Sequence, residues 1–495
     1  MAFKSSCVLW LACAASAQVL TSQYDNARTG AILTEKILTP SNVNPRQFGK
    51  IFSFAVDGDV YAQPLFVPQV PVPGKGTHDL IFIATEHNSV YAFDAAGQPS
   101  APLWRVNFPK PVPAGDLGCG FIAPQVGITP TPVIDLPTGT LYVLSRTTEG
   151  RYVQKLHALA ITTGAEKFGG PVEIQAPGFD GLRELPRAAL LLVNGSVVLT
   201  WGSSCDRGPY HGWVMAYDAR TLQRKAVFNT SPAAGESGIW QSDMGPAADE
   251  DGNIYVATGN GAFTAARGGR DYGDSLLKLD GGLKVLDYFT PSDERSLNSQ
   301  DHDLGSGGPI VLPKQPGAHP HLALIAGKDG TLYAVDRDHM GGFQAEDDSH
   351  AVQRIRLRGG LYAAPAYWNG HVYLSARGDY LTDFPLARGL LGKPAKVGAQ
   401  RFRDSGATPV ISSNGSHDGI LWLIDTKAWN GADRPAVLHA YDAADVEREL
   451  YSSETNSARD RAGNTLRFTV PTVAGGRVYV EAKREVDVYG LLPSQ

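Results

Sequence analysis

Apolar and polar positions alternate over short runs along this chain, and no long stretch repeats with a helical period. The runs are rich in Val, Ile, Leu, Tyr and Ala, and clusters of Gly, Asn and Asp separate them. This spacing predicts many short strands joined by tight turns. One run recurs: "VYAFDA" (90–95), "LHALAI" (156–161), "WVMAYDA" (213–219), "LLKLDG" (276–281), "LYAVDR" (332–337), "LHAYDA" (438–443) and "VDVYGLL" (486–492). "YLTDFPL" (380–386) is a degraded copy. A second run opens upstream of each copy with small residues, usually including Pro. It reads "AQPLFV" (62–67), "PTPVID" (130–135), "MGPAAD" (244–249), "GGPIVL" (307–312), "AAPAYW" (363–368), "ATPVIS" (407–412) and "TVPTVA" (469–474), with "PRAALLLV" (186–193) the loosest. A third strand lies between the two, as in "DLIFIAT", "NIYVAT" and "HVYLSA".

Eight such units point to an all-β chain folded as an eight-bladed β-propeller, a single domain over residues 18–495. Blades set around an axis crowd their innermost strands, which favours small side chains there. The innermost strand is also a sheet edge, where Pro forfeits no ladder hydrogen bond. The last unit lacks an outer strand. "GKIFSFAV" (49–56), ahead of the first unit, can supply it and close the ring.

Composition narrows the function classes. The chain has 495 residues, 43% of them hydrophobic and 19% charged, with 55 Gly and 33 Pro, which is globular and turn-rich. The formal net charge is −6 and no Lys/Arg block stands out, which argues against a nucleic-acid partner. At the N-terminus "MAFK", the apolar "SSCVLWLACAA" and "ASA" before Gln18 read as an export signal over residues 1–17. The mature protein is then expected in the periplasm or outside the cell. Lipid anchoring at Cys13 is disfavoured because Trp10 stands where such a signal carries Leu. The apolar core of the signal is too short to span a bilayer, and no other segment reads as a transmembrane helix. No Cys-x-x-Cys-His is present, so no attached c-type haem is expected.

In a propeller of this strand order, the loop before strand one and the loop between strands two and three open on one face. Asp206, Asn260 and Lys328 fall in the second loop class, and Asp303 falls in the first. Two carboxylates and an amide are hard oxygen donors suited to Ca²⁺, and a lysine beside them can polarise a ligand carbonyl. Plainer readings stand beside this one: Asn260 as a positive-φ turn residue, Asp206 and Asp303 as turn or capping carboxylates, Lys328 as a solvated lysine. Cys119 and Cys205 lie in the same loop classes on neighbouring units. A bridge is feasible, and two separate buried thiols remain the other reading. Glu86, His87, Arg146 and Arg377 share the face. "HPHL" (319–322) reads as a surface loop.

Four stretches carry a family resemblance: "WGSSCDRGPYHGWVMAYDA" (201–219), "ATGNGAF" (257–263), "DHDLGSGGPIVL" (301–312) and "GKDGTLYAVDR" (327–337). With the repeats, they resemble the eight-bladed pyrroloquinoline quinone (PQQ) dehydrogenases of alcohols and glucose. The resemblance implies PQQ and Ca²⁺ as cofactors. It places Asp206, Asn260 and Asp303 at the metal, and Asp303 as catalytic base with Asp301 as the other register. Lys328 falls at the quinone carbonyls, and Trp240, Cys119 and Cys205 at the cofactor walls. Asp303 would take the hydroxyl proton of an alcohol or sugar, and electrons would leave to a separate acceptor. The family's vicinal Cys-Cys pair has no match here, its calcium-binding Glu is replaced or displaced, and Trp240 is offset by two residues. A propeller that keeps the blades without the cofactor, as a ligand- or protein-binding module, is the alternative.

Overall fold

Alternation along a strand sends every second side chain into the gap between neighbouring blades, and tyrosines repeatedly take that position. Tyr142, Tyr255, Tyr333, Tyr373, Tyr441, Tyr479 and Tyr489 are all buried there. Two of them tie one blade to the next: Tyr142 Oη donates to the Ala219 carbonyl (2.6 Å), and Tyr373 Oη donates to the Ala443 carbonyl (2.7 Å). Where the buried phenol finds such a partner, the one residue supplies both packing and registration between sheets.

A computed structural model describes residues 17–242, 244–403, 405–426 and 434–493. Apart from Ala17, the export-signal segment lies outside the described residues, as does Cys13. The strands pair into an eight-bladed propeller. Blade 1 is a plain meander of Leu65–Val72, Gly76–Ala84, Ser89–Asp94 and Trp104–Asn107. The innermost strands of blades 2 to 8 begin at Val133, Leu191, Ala247, Ile310, Ala366, Val410 and Thr472. The degraded repeat forms a full strand, Asp379–Ala387, third in blade 6, with a register shift between Tyr380 and Thr382.

The outer strand of blade 8 comes from the other end of the chain. Phe48–Ala55 pairs antiparallel with Glu485–Leu491, from Phe48 opposite Leu491 to Ala55 opposite Glu485.

Residues 19–31 do something the repeat pattern did not announce: they run across the inner edges of all eight blades. Val19 N donates to Phe66 O (2.8 Å), and Leu20 O accepts from Ile134 N (2.8 Å). Asn26 Nδ2 donates to Leu192 O (2.8 Å), and Asn26 O accepts from Ala248 N (2.6 Å). The carbonyls of Ala27, Thr29 and Gly30 accept from Val311 N (2.9 Å), Tyr367 N (2.8 Å) and Ile411 N (2.7 Å). Tyr24 Oη accepts from Val473 N (2.9 Å). Inner strands expose unpaired backbone groups toward the axis, and this segment satisfies one from each blade. Arg28 fixes it: fully buried, its guanidinium donates to Thr21 Oγ1, Ser22 O, Leu190 O and Pro246 O.

Candidate functional site

The loops before the first strands and after the second strands enclose a cavity of about 370 Å³. That is within the size range of small-molecule sites. Asp206, Trp240, Asp303 and Lys328 line it, together with Asp301, Cys119 and Cys205. Asn260 stands behind the wall, bonded to the residues that form it.

The strand Ile254–Ala257 delivers Thr258-Gly259-Asn260 to a position behind the cavity wall. Asn260 is not in the left-handed region, so its side chain is not explained as that of a positive-φ turn residue; Gly261 takes the positive φ of 155° instead. Asn260 N donates to Asp303 Oδ1 (2.8 Å) and Asn260 Nδ2 donates to Asp301 Oδ1 (2.7 Å). Its own Oδ1 is buried with no hydrogen-bond partner. Gly259 is required because a Cβ there would strike Asp303 Oδ1.

Asp303 is 5% exposed. Its Oδ2 lies 2.6 Å from Lys328 Nζ, and Asp301 Oδ1 lies 2.9 Å from the same nitrogen. The Asp303 carbonyl also accepts from Lys328 N (3.1 Å), which locks the two loops together. Burial alone would lower the lysine pKa. The Asp303 charge and the hydrogen bonds from Asp303 and Asp301 outweigh it and raise the pKa, so the ammonium is held protonated.

Asp206 comes from the loop after Ser196–Ser203 and sits at a φ of 52°. Its N donates to Ser203 Oγ (2.9 Å), and its Oδ1 accepts from the same hydroxyl (3.2 Å). Desolvation inside the funnel raises its pKa, and the charges of Asp303 and Asp301 add to that rise. Cys119 and Cys205 are paired, with Cα atoms 6.0 Å apart, so the bridge and not the pair of separate thiols is the arrangement found. This disulfide forms part of the cavity wall.

Trp240 reaches the cavity despite its offset. A Cβ on Gly202 or Gly238 would lie 3.0 Å or 3.3 Å from the indole, so the ring rests against bare backbone. Tyr210 meets it edge-on at 6.4 Å.

One buried carboxyl behind the wall was not foreseen. Asp274 Oδ1 accepts from Leu304 N (3.0 Å), and its own N donates to Gly259 O (2.9 Å). It thereby couples the Asn260 loop of blade 4 to the Asp303 loop of blade 5. Burial raises its pKa well above the carboxylate range, and Asp303 and Glu294 raise it further.

Glu86, His87, Arg146 and Arg377 do not line the cavity. Glu86 is buried and accepts from Gly127 N (2.6 Å), while His87 Nδ1 meets Gln125 Nε2 (2.6 Å). Arg146 is not solvated: it is fully buried and donates to Leu182 O (2.6 Å). Arg377 is exposed. His319 and His321 pair with Asp336 (2.7 Å) and Asp338 (2.8 Å), as a surface loop does.

Whether the donors suit a hard cation can be tested on Asn260. A buried amide oxygen without a partner, beside Asp303 and Asp301, is the arrangement that a calcium-type ion satisfies. No group of three or more His, Cys, Asp or Glu able to hold a metal occurs among the described residues, so the carboxylates do not form a metal cage by themselves. The orphaned amide oxygen is the observation that favours the fit.

The fold is an eight-bladed β-propeller, an architecture shared with solved quinoprotein dehydrogenases. Solved structures with this architecture include the quinohemoprotein alcohol dehydrogenase ADHIIG of Pseudomonas putida HK5. It is 14% identical with a TM-score of 0.67, over 97% of this chain and 81% of that one. The quinohemoprotein alcohol dehydrogenase of Comamonas testosteroni is 16% identical with a TM-score of 0.65, over 97% and 82%. A europium-containing methanol dehydrogenase is 14% identical with a TM-score of 0.65, over 96% and 98%. At these identities the likeness is one of fold. No family model and no curated protein sequence matches the chain. No helix among the described residues is long and apolar enough to cross a membrane.

Proposed function

We propose that this protein is an exported, PQQ- and calcium-dependent dehydrogenase of an alcohol or a sugar. The observation that carries the proposal is the convergence of Asp206, Trp240, Asp303 and Lys328 on one cavity, with the orphaned Asn260 oxygen buried behind its wall. Asp303 is the proton acceptor. Asn260 N fixes one carboxylate oxygen, and Lys328 holds the other in reach of a substrate hydroxyl. Lys328, kept protonated by its two aspartates, presents positive charge where an oxygen becomes negative. Trp240 and the Cys119–Cys205 bridge give a flat, dry wall to a planar cofactor. Asn260 Oδ1 with the Asp206 and Asp303 carboxylates would hold calcium. When bound, the quinone supplies the hydride acceptor and the metal supplies charge stabilisation. Electrons would then pass to a separate carrier.

The test is dye-linked oxidation of alcohols and sugars by protein reconstituted with PQQ and Ca²⁺. Asp303→Asn should lower turnover by about 10²–10⁴-fold with the melting temperature retained. One observation favours a second reading, a ligand-binding propeller without quinone: Lys328 is already engaged by both Asp301 and Asp303. No activity from the reconstituted wild type across the panel would overturn the first reading and leave the second.

A further inference from the structure

Residues 108–132 join the outer strand of blade 1, Trp104–Asn107, to the innermost strand of blade 2 at Val133. Part of this connection folds into a cap on the cavity. Val112–Pro113 pairs antiparallel with Gln125–Val126, and Ala114 N donates to Pro124 O (3.0 Å). One helical turn, Ala114–Leu117, follows the first of these strands. Val112, Leu117, Ile122 and Val126 are buried in a small apolar cluster of their own, and Leu185 of blade 3 packs against it. The cap is tied to neighbouring loops. Cys119 is bonded to Cys205, Tyr152 Oη donates to Asp116 Oδ2 (3.2 Å), and Arg207 Nη1 donates to the Asp116 carbonyl (3.2 Å).

One member of the cap is not packed away. Phe121 lines the cavity and is 60% exposed. A lone exposed aromatic on an outer surface needs no explanation. Phe121 instead belongs to the lining of a cavity, and Leu117, Ile122, Val126 and Leu185 give that lining an apolar wall. The groups that handle a hydroxyl come from blade 5. Asp301 and Asp303 precede its innermost strand, and Lys328 follows its second. In a ring of eight, blade 5 stands opposite blade 1, where the cap begins. The cavity thus has a polar pole and an apolar one. Arg187 and Arg467, which also line it, lie against the Phe468 ring at 4.9 Å and 4.5 Å. An alcohol with an apolar body satisfies both poles at once. A sugar brings several hydroxyls against side chains that offer no hydrogen bonds, and each hydroxyl left unpaired costs binding.

We propose that the cap, through Phe121, selects alcohols that carry an aromatic or alkyl body and turns sugars away. The proposal rests on the dehydrogenase reading for the chemistry at the hydroxyl end and adds the substrate class. Phe121 is a specificity residue in it: its ring covers the body of the ligand, and the hydroxyl proton goes to Asp303 at the far pole. The bridge and the Asp116 contacts already hold the cap in place, so the selection needs no closing movement.

The experiment is calorimetry on the full chain without PQQ or calcium, so the readout does not depend on dehydrogenase activity. 3-Phenylpropan-1-ol and glucose are the probes. The expected result is at least tenfold tighter binding of 3-phenylpropan-1-ol. Phe121→Ser should weaken that alcohol at least fivefold and leave glucose unchanged. Phe121→Leu, which keeps an apolar side chain, should restore most of the affinity. The side chain is largely exposed, so both variants should melt with the wild type. Equal binding of the two probes, no binding of the alcohol, or an alcohol affinity unchanged in Phe121→Ser overturns the proposal. Dye-linked assays of the reconstituted wild type separate it from the reading it rests on. A binding preference without activity rejects the dehydrogenase and retains the selective cap. Activity on sugars equal to that on 3-phenylpropan-1-ol rejects the selective cap and retains the dehydrogenase.

Discussion

Asn260 shows how far a single residue could be interpreted before its surroundings were known. "GNG" is a turn signal, and a positive φ at the asparagine would have accounted for it. The glycine after it takes that φ instead, and the amide is left bridging Asp301 while its oxygen points nowhere. Asp303 and Lys328 were legible because their loops carry recognisable chemistry at defined repeat positions. Asp274 was not, since an aspartate after a glycine carries no motif. At this scale one pH effect follows. Burial pushes the Glu184 carboxyl, which accepts from His211 N and Trp213 Nε1, up to about 8. The folded chain keeps a proton that the unfolded chain releases, so this group favours folding below the ordinary carboxylate range, and its contribution is lost as pH rises to about 8. Glu184→Gln should flatten the fall in melting temperature over that interval. An unchanged slope would remove the buried carboxyl as its cause.

Elements were the most legible level, because strand alternation and blade crowding act on every repeat alike. Even the degraded copy forms its strand, since Phe384 and Leu386 still pack into one cluster and Leu381 into a neighbouring one. The loops joining the strands were less legible. Two isolated cysteines in loops give no pairing rule, and only the ring geometry brings Cys119 to Cys205 across 86 positions of sequence. In the chain-entropy account, closing a loop of that length stabilises by about 4.6 kcal/mol. Cys119→Ser with Cys205→Ser should therefore lower the melting temperature of the oxidised protein, and reductant should then have no further effect. It should also weaken ligand binding, because the bridge is part of the cavity wall. A double variant that melts with the wild type would show that the bridge carries little of the fold.

The whole molecule depends on its first thirty-odd described residues more than the repeats suggested. Phe48–Ala55 closes blade 8, which the missing outer strand foretold. Residues 19–31 meet all eight inner edges, which no periodicity could foretell because the segment is not itself a repeat. Arg28→Met would remove the hydrogen bonds that the guanidinium donates to the Ser22, Leu190 and Pro246 carbonyls. Losing these buried bonds costs on the order of 3 kcal/mol together. The expected outcome is a lower melting temperature and faster proteolysis of the N-terminal segment; wild-type resistance to protease would contradict a central role for Arg28. The ring in turn gathers the functional loops, and the account of the site stands on that gathering. Calcium titration of the full chain at fixed PQQ, followed by quinone absorbance, tests it most directly, with wild type and Asn260→Ala side by side. The account predicts a saturable spectral change in the wild type and at least a tenfold weaker calcium dependence in the variant. A flat titration in the wild type, or identical curves for the two proteins, would contradict it.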